Sequence, residues 1–395
     1  MTTNHLAPVI RFKGFTDAWE QRKAKDIFKP LVEKNRKELP VLSVTQDMGV
    51  VYREDVGIDI KYDLNTLNNY KVVKPNDFII SLRSFQGGFE LSDKLGIVSP
   101  AYTIFNALEE RNNYSLFWKV FFKRFIFIES LKTVTFGIRD GKSISFTEFG
   151  DLKLAFANLE EQTKIGNFFK QLDDTIALHQ RELDLLKEQK KGFLQKMFPK
   201  KDELVPEIRF AGFTDAWEQR KLGEVINFLN GRAYKQKELL DTGKYRVLRV
   251  GNFNTNDRWY YSDLELDNNK YADKGDLLYL WATNFGPEIW NEERVIYHYH
   301  IWKLQFLSNE IDKLYLYTWL LTDKERIKLT TNGTTMVHVT KGGMEQRVFQ
   351  YPKSIDEQTK IGSFFKQLDD TIALHQCELE KLQEMKKAFL QKMFV

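Results

Sequence analysis

Residues 161–180 read EQTKIGNFFKQLDDTIALHQ and residues 357–376 read EQTKIGSFFKQLDDTIALHQ, with only Asn167 and Ser363 different. An identity of that length, displaced from 161 to 357, is an internal repeat, and a repeat has to be read before any local pattern. The likeness continues to FLQKMF in both copies, ending at Phe198 and Phe394. Apolar positions recur in alternating steps of four and three. In the first copy the seam is Ile165, Phe169, Leu172, Ile176, His179, Leu183, Leu186, Lys190, Phe193 and Met197; in the second it is Ile361, Phe365, Leu368, Ile372, His375, Leu379, Leu382, Lys386, Phe389 and Met393. This is a coiled-coil heptad. Each helix is then about 57 Å long at the usual rise per residue, and neither is stable without a partner along its seam. The other copy is the obvious partner, in antiparallel orientation.

Outward from the helices lies a second repeated block, IRFKGFTDAWEQRK at 10–23 and IRFAGFTDAWEQRK at 208–221, differing only at Lys13 and Ala211. Between the fixed blocks, residues 24–157 and 222–353 share little beyond a loose pattern. The chain therefore divides into a globular domain at 1–157, a helix at 158–200, a second globular domain at 201–353 and a second helix at 354–395. The expected class is α+β: two mixed α/β domains separated by two long antiparallel coiled-coil helices, a pseudo-twofold tandem repeat. The fixed frame does one job twice; the inserts do two versions of another.

Both inserts carry strand-like runs, Val41–Val44 and Arg246–Val250, and an Asp-initiated apolar strand, Asp77–Leu82 and Asp276–Leu280. Each of the latter runs into a polar loop, Arg83-Ser84-Phe85-Gln86-Gly87-Gly88 and Trp281-Ala282-Thr283-Asn284-Phe285-Gly286. A helix is expected from the stripe Tyr114, Phe117, Trp118, Phe121, Phe122, Phe125 and Ile128, which is core rather than a base-stacking platform, and a similar one begins at Leu314. Polar loops follow both, Gly137 to Ser143 and Asn332 to His338.

These loops hold side chains suited to base edges: Arg for guanine acceptors, Asn and Gln for adenine, Ser and Thr for either. The candidates are Arg83, Ser84, Gln86, Arg139, Lys142 and Ser143 in the first insert. In the second they are Arg249, Asn252, Asn254, Thr283, Asn284, Thr334, Thr335, His338 and Lys341. Lys142 and Lys341 suit phosphate and would set position. Taken singly, Gly, Ser and Thr loops are ordinary connectors; taken as a set, recognition accounts for them better.

The rest of the sequence mostly excludes. A net charge of +4 permits a nucleic-acid partner without demanding one. The single cysteine, Cys377, precludes a disulfide framework and fits a reducing compartment. The start lacks the apolar run of a signal peptide, and the most apolar stretch, Tyr114 to Leu131, is broken by Lys119, Lys123, Arg124 and Glu129, which argues against a membrane span. A cytoplasmic location is expected. No CxxC, HExxH, GxxxxGK[ST] or placed GxGxxG occurs, and no nucleophile–base pair is evident, so no metal site and no covalent chemistry are expected. Asp173-Asp174 and Asp369-Asp370 read as a solvated face or a contact for a partner protein. His179 and His375 read as half-buried histidines bonded to neighbours, or as a pH-sensitive latch where the two helices cross. Lys187, Lys190, Lys191, Lys386 and Lys387 suit the helix dipole and could also meet phosphate.

The fixed segment GFTDAWEQRK, the block EQTKIGxFFKQLDDTIALHQ and the two-fold arrangement resemble the specificity subunit of Type I restriction–modification systems, of a staphylococcal-like kind, over essentially the whole chain. Asp77 to Phe105 is similar to one of that family's target-recognition domains. The resemblance implies that each variable domain reads one half of a bipartite double-stranded DNA target. It implies that the helices act as a ruler and dock two methyltransferase subunits, with restriction/translocase subunits completing the complex. S-adenosylmethionine, ATP and magnesium then belong to those partners, and this chain holds no cofactor. A pure coiled-coil adaptor, or a self-contained methyltransferase or nuclease, are the rival readings. Ala157, standing where the second copy has Pro352, leaves the start of the first helix less sharply marked.

Overall fold

The computed structural model describes residues 6–45, 48–57, 64–82, 88–133, 144–200, 203–253, 256–282, 285–330 and 339–395. The strands of the first insert and its flanks are β1 (Glu20–Lys23), β2 (Phe28–Leu31), β3 (Leu42–Thr45), β4 (Gly49–Tyr52), β5 (Lys71–Val73), β6 (Phe78–Ile80), β7 (Phe89–Leu91), β8 (Gly96–Val98), β9 (Thr103–Ala107) and β10 (Lys153–Phe156). Its helices are α1 (Ser115–Phe121), α2 (Phe125–Leu131), α3 (Phe146–Gly150) and the long α4 (Leu159–Lys196). The second insert brings β11 (Glu218–Lys221), β12 (Ile226–Asn230), β13 (Tyr245–Leu248), β14 (Tyr260–Ser262), β15 (Tyr271–Ala272), β16 (Leu277–Leu280), β17 (Gly286–Ile289), β18 (Val295–Tyr297), β19 (Ile301–Phe306) and β20 (Val348–Tyr351). With them come α5 (Leu222–Val225), α6 (Lys313–Thr330), α7 (Lys341–Glu345) and α8 (Ile355–Lys392).

The chain forms two compact units. One comprises Met1–Gln180 and Cys377–Val395, the other Arg181–Gln376, so both boundaries fall inside the long helices. In the first unit the sheet order is β2-β9-β6-β7, and β4-β3 joins β8-β5 through a parallel bridge between Val41 and Ile97. The second unit has β12-β19-β16-β17 and β14-β13-β18-β15. Strand for strand these orders are the same, although the two sequences have diverged.

The sequence explains why each sheet is buried on both faces. Alternate residues of a strand point to opposite sides. In β16, Leu277 and Tyr279 enter one core while Leu278 and Leu280 enter another; in β6, Phe78 and Ile80 face one core and Ile79 the other. The larger core of the first unit is aromatic, with Phe28, Phe78, Phe89, Phe105, Trp118, Phe122 and Phe149 in edge, tilted or stacked contact.

Each long helix contains 38 residues, which the heptad length anticipates. Within the first unit Phe168 meets Phe389 at 5.1 Å and Lys386 meets Asp173 at 2.6 Å. Within the second, Phe193 meets Phe364 at 5.1 Å and Lys190 pairs with Asp369. In both, numbers rise on α4 as they fall on α8, so the helices are antiparallel. Every seam residue is buried or half-buried. His179 lies 3.8 Å from Glu378, and His375 lies 3.7 Å from Glu182.

Two expectations about the helices need correction. Asp173 and Asp369 stay partly solvated, with 42% and 33% of their side chains exposed, but each also takes a seam lysine of the facing helix; Asp174 and Asp370 pair along their own helix, with Lys170 and Lys366. For the same reason Lys190 and Lys386 are committed to helix pairing and not turned to phosphate. Further, the stripe from Tyr114 to Ile128 is not one helix. It breaks between α1 and α2, where Arg124 adopts extended backbone. That break turns the guanidinium onto the rings of Phe121 and Phe394 and lets it donate to the Val395 carbonyl, leaving Phe125 exposed. The start of α4 is well marked after all: the Asn158 side chain accepts from the Glu161 N–H at 3.0 Å.

The repeated blocks are explained by one another. Arg11 clasps Glu161 through two bonds of 2.8 and 2.7 Å, and the Trp19 indole donates to the same carboxylate at 3.1 Å. Arg209 clasps Glu357 likewise at 2.7 and 2.8 Å. Both carboxylates are 1% exposed, so neither tolerates loss of its partner. Next to them Gln162 accepts from the Tyr114 N–H and donates to the Ala157 carbonyl; Gln358 accepts from the Asp312 N–H and donates to the Pro352 carbonyl. The fixed segments thus fasten each variable domain to its helix.

Candidate nucleic-acid interface

In the second unit β12 pairs with β19 from Ile226↔Phe306 to Asn230↔Trp302. Three connections gather at the Asn230/Trp302 end: the chain after β12, Trp281 after β16, and His298-Tyr299-His300 between β18 and β19. Backbone bonds lock them together. The Arg232 N–H donates to the Tyr297 carbonyl, the Tyr299 N–H to the Arg232 carbonyl, the Trp281 N–H to the His300 carbonyl and the Ile301 N–H to the His298 carbonyl, at 3.0 to 3.1 Å. A Cβ on Gly231 would lie 2.3 Å from the His298 carbonyl oxygen, so only glycine permits this crossing. The His298 N–H donates to the Leu248 carbonyl at 2.9 Å, which brings the segment after β13, with Arg249 and Asn252, to the same edge.

Aromatic rings and guanidinium groups cover this edge. Tyr299 is 40% exposed, yet its ring lies 4.3 Å from that of His298 and 4.0 Å from that of His300. Trp281 meets the His300 ring edge-on at 4.8 Å and donates its indole N–H to the Tyr299 carbonyl at 2.8 Å. Arg249 and Arg258 both lie over the Tyr260 ring, at 4.3 and 5.1 Å. Among the described residues no carboxylate pairs with Arg249, and its buried Nε has no partner. Arg232, by contrast, is fully engaged by Glu238. Burial, with His300 and Arg249 adding to it, pushes the His298 imidazole down to about 4, and burial also lowers His300. At neutral pH both rings are uncharged; the His298 Nδ1 accepts from the His300 N–H at 3.5 Å, which leaves its Nε2–H as a donor, while the His300 ring offers one donor and one acceptor.

Of the candidates from sequence, Arg249 and Asn252 fall at this edge. The Asn252 carboxamide accepts from the Arg249 N–H and donates to the Asn256 and Arg258 carbonyls, so it shapes the loop. Lys341 is elsewhere: it opens α7, which packs on α5 at the Ile226 end of β12, a strand of five residues or about 16 Å away, and it faces Glu345 at 3.7 Å. Arg83, Ser84, Gln86, Arg139, Lys142, Ser143, Asn254, Thr283, Asn284, Thr334, Thr335 and His338 lie outside the described residues.

The corresponding turn of the first unit, between β8 and β9, is Ser99-Pro100-Ala101-Tyr102, pinned by the Ala101 N–H donating to the Ser99 hydroxyl and Tyr102 N–H to the Ser99 carbonyl. Same position, different chemistry. Sequence reasoning missed Trp281, His298, Tyr299 and His300 as a group. The signal was present in the run YHYHIW at 297–302, where a connection that needs only small polar residues carries three rings.

Comparison with known proteins agrees with this duplicated arrangement. Residues 16–188 and 214–384 match the family described as the Type I restriction modification DNA specificity domain. The specificity subunit of the type I restriction enzyme MjaVIII of Methanocaldococcus jannaschii is 23% identical over 356 residues, 85% of this chain and 81% of that protein. The crystal structure of the S subunit of a Type I restriction–modification system from M. genitalium superposes with a TM-score of 0.63 at 18% identity, over 98% of this chain and 99% of that one. A chain from a study of complex assembly and conformational transition of the type I R-M system gives 0.55 at 13% identity, over 95% and 97%.

Proposed function

Since the chain belongs to the Type I restriction–modification DNA specificity family, in two copies, and is the non-catalytic specificity subunit of such a system, we propose that each unit reads one half of a bipartite duplex target and that α4 and α8 set the interval between the halves. The observation that carries this is the pairing of one repeated topology with two different recognition edges. DNA and the modification and restriction subunits are its partners; two methyltransferase subunits fit the two copies of the fixed frame. S-adenosylmethionine, ATP and magnesium are held by those subunits. Arg249, whose guanidinium donates to the Arg258 carbonyl at 3.1 Å and has no acidic partner among the described residues, suits a phosphate or a guanine edge. No described helix is long and apolar enough to cross a membrane, in keeping with a cytoplasmic site of action.

The spacing can be tested directly. Insertion of one matched turn in both α4 and α8 adds about 5.4 Å, against about 3.4 Å per base pair. The methylated motif should keep both halves and widen its gap by one or two base pairs. An unchanged gap would remove the ruler from the account.

A further inference from the structure

We propose that the turn His298-Tyr299-His300, backed by Trp281, is the base-contacting element of the second unit, with Tyr299 against the apolar face of a base or a thymine methyl and the two imidazoles hydrogen-bonding base edges. This rests on the reading of the chain as a bipartite DNA reader and assigns that role to residues outside the loops that sequence alone suggests.

The geometry is that of a preorganised contact. The Tyr299, His298 and His300 rings form a mutually packed cluster, with centroids 4.0 to 4.8 Å apart. The Tyr299 N–H is tied to Arg232 and its carbonyl to the Trp281 indole, so little mobility remains to be lost on binding. The residue is nevertheless 40% exposed. A connection between two strands needs few rings: the matching turn of the other unit, Ser99-Pro100-Ala101-Tyr102, carries one, Tyr102, and that ring packs against the core. Three exposed or half-exposed rings exceed that need.

The electrostatics divide the edge. Neutral imidazoles gain little from phosphate; His300 can donate to and accept from a base edge, and His298, its Nδ1 engaged by the His300 N–H, can donate. The permanent charge beside them is on Arg249, where a phosphate contact would fix position without reading sequence, while Arg258 faces Asp241 at 3.6 Å. Groups facing the imidazoles are Arg249 after β13, Tyr234 after β12, and Trp281 after β16; none is a carboxylate. Nothing described there would recharge the rings.

The test uses the whole complex in cells. Methylated bases are sequenced for the unaltered chain and for Tyr299→Ala and His300→Ala. Each variant should lose at least about tenfold discrimination at one or two positions of a single half-site, with the other half and the gap intact. An unchanged motif in both variants would overturn the inference while leaving the bipartite reading in place, whereas absence of any two-part motif with the unaltered chain would overturn that reading first. Where a variant fails to assemble, photocrosslinking of the unaltered complex decides: half-sites carrying a photoreactive halogenated pyrimidine at successive positions should label the peptide containing 298–300, and labelling confined to other peptides would refute it.

Discussion

The Lys386 ammonium lies 2.6 Å from the Asp173 carboxylate, and its repeat-related counterpart, Lys190, holds Asp369 in the other unit. Both pairs place a cation on the apolar seam, where it reaches an acid one step off the seam of the antiparallel neighbour. Such an arrangement fixes register more than it adds stability, because pairs this exposed contribute only about 0–1 kcal/mol. Charge reversal is more telling. Lys386→Glu should lower the urea midpoint, Asp173→Lys should do the same, and the double exchange should restore it. Additive losses in a double-mutant cycle would contradict the pairing.

The Arg11–Glu161 clasp makes a larger prediction. Glu161→Ala strands a guanidinium and an indole N–H in a buried place, at a cost of about 3 kcal/mol, and Glu357→Ala should behave alike in the other unit. Chemical denaturation monitored by tryptophan fluorescence would show it. A loss below about 0.5 kcal/mol, the scale of an ordinary surface change, would mean that the repeated blocks are not fastened in this way.

Glycine 166 and glycine 362 should reverse the usual rule that alanine stabilises a helix interior. A Cβ at Gly166 would lie 2.8 Å from the Phe117 nitrogen, and one at Gly362 would lie 2.7 Å from the Leu314 Cβ and the Tyr315 nitrogen. Alanine at either position should cost about 1–3 kcal/mol, whereas Gly192→Ala, with open space around it, should be neutral or stabilising. Thermal melts of the three variants distinguish these outcomes.

Protonation should weaken the second unit in mild acid. The His298 imidazole is held near 4 in the fold, against about 6.5 in an unfolded chain. The unfolded chain therefore binds that proton more readily. The stability owed to the neutral ring is complete above about pH 6.5 and is lost as pH falls towards 4. With the ring only half-buried, about 1 kcal/mol is expected after discounting for solvent. His298→Asn should flatten that part of the stability profile between pH 6.5 and 4.5; an unaltered slope would contradict the assignment.

Long identities and heptads made the frame legible in the sequence: two long helices, their antiparallel pairing and a duplicated order all follow from the seam Ile165 to Met197 and its copy. What the sequence left unread was chemistry arising from distant contacts. Asp173 looks unpaired until the facing helix supplies Lys386. The Tyr114–Ile128 stripe looks like one helix until Phe394 and the Val395 carbonyl give Arg124 a reason to turn. At the recognition edge, polar loop residues were legible individually, but Lys341 belongs to the far end of β12. Trp281 and Tyr299 become neighbours only because Gly231 allows the strands to cross.

The central claim is that two unlike units each read one half of a two-part target. Its most direct test is sequencing of methylated bases in cells whose complex carries residues 24–157 exchanged for the variable segment of another family member. One half of the methylated motif should change, while the other half and the gap stay as they were. A motif altered in both halves, or in neither, would contradict the account.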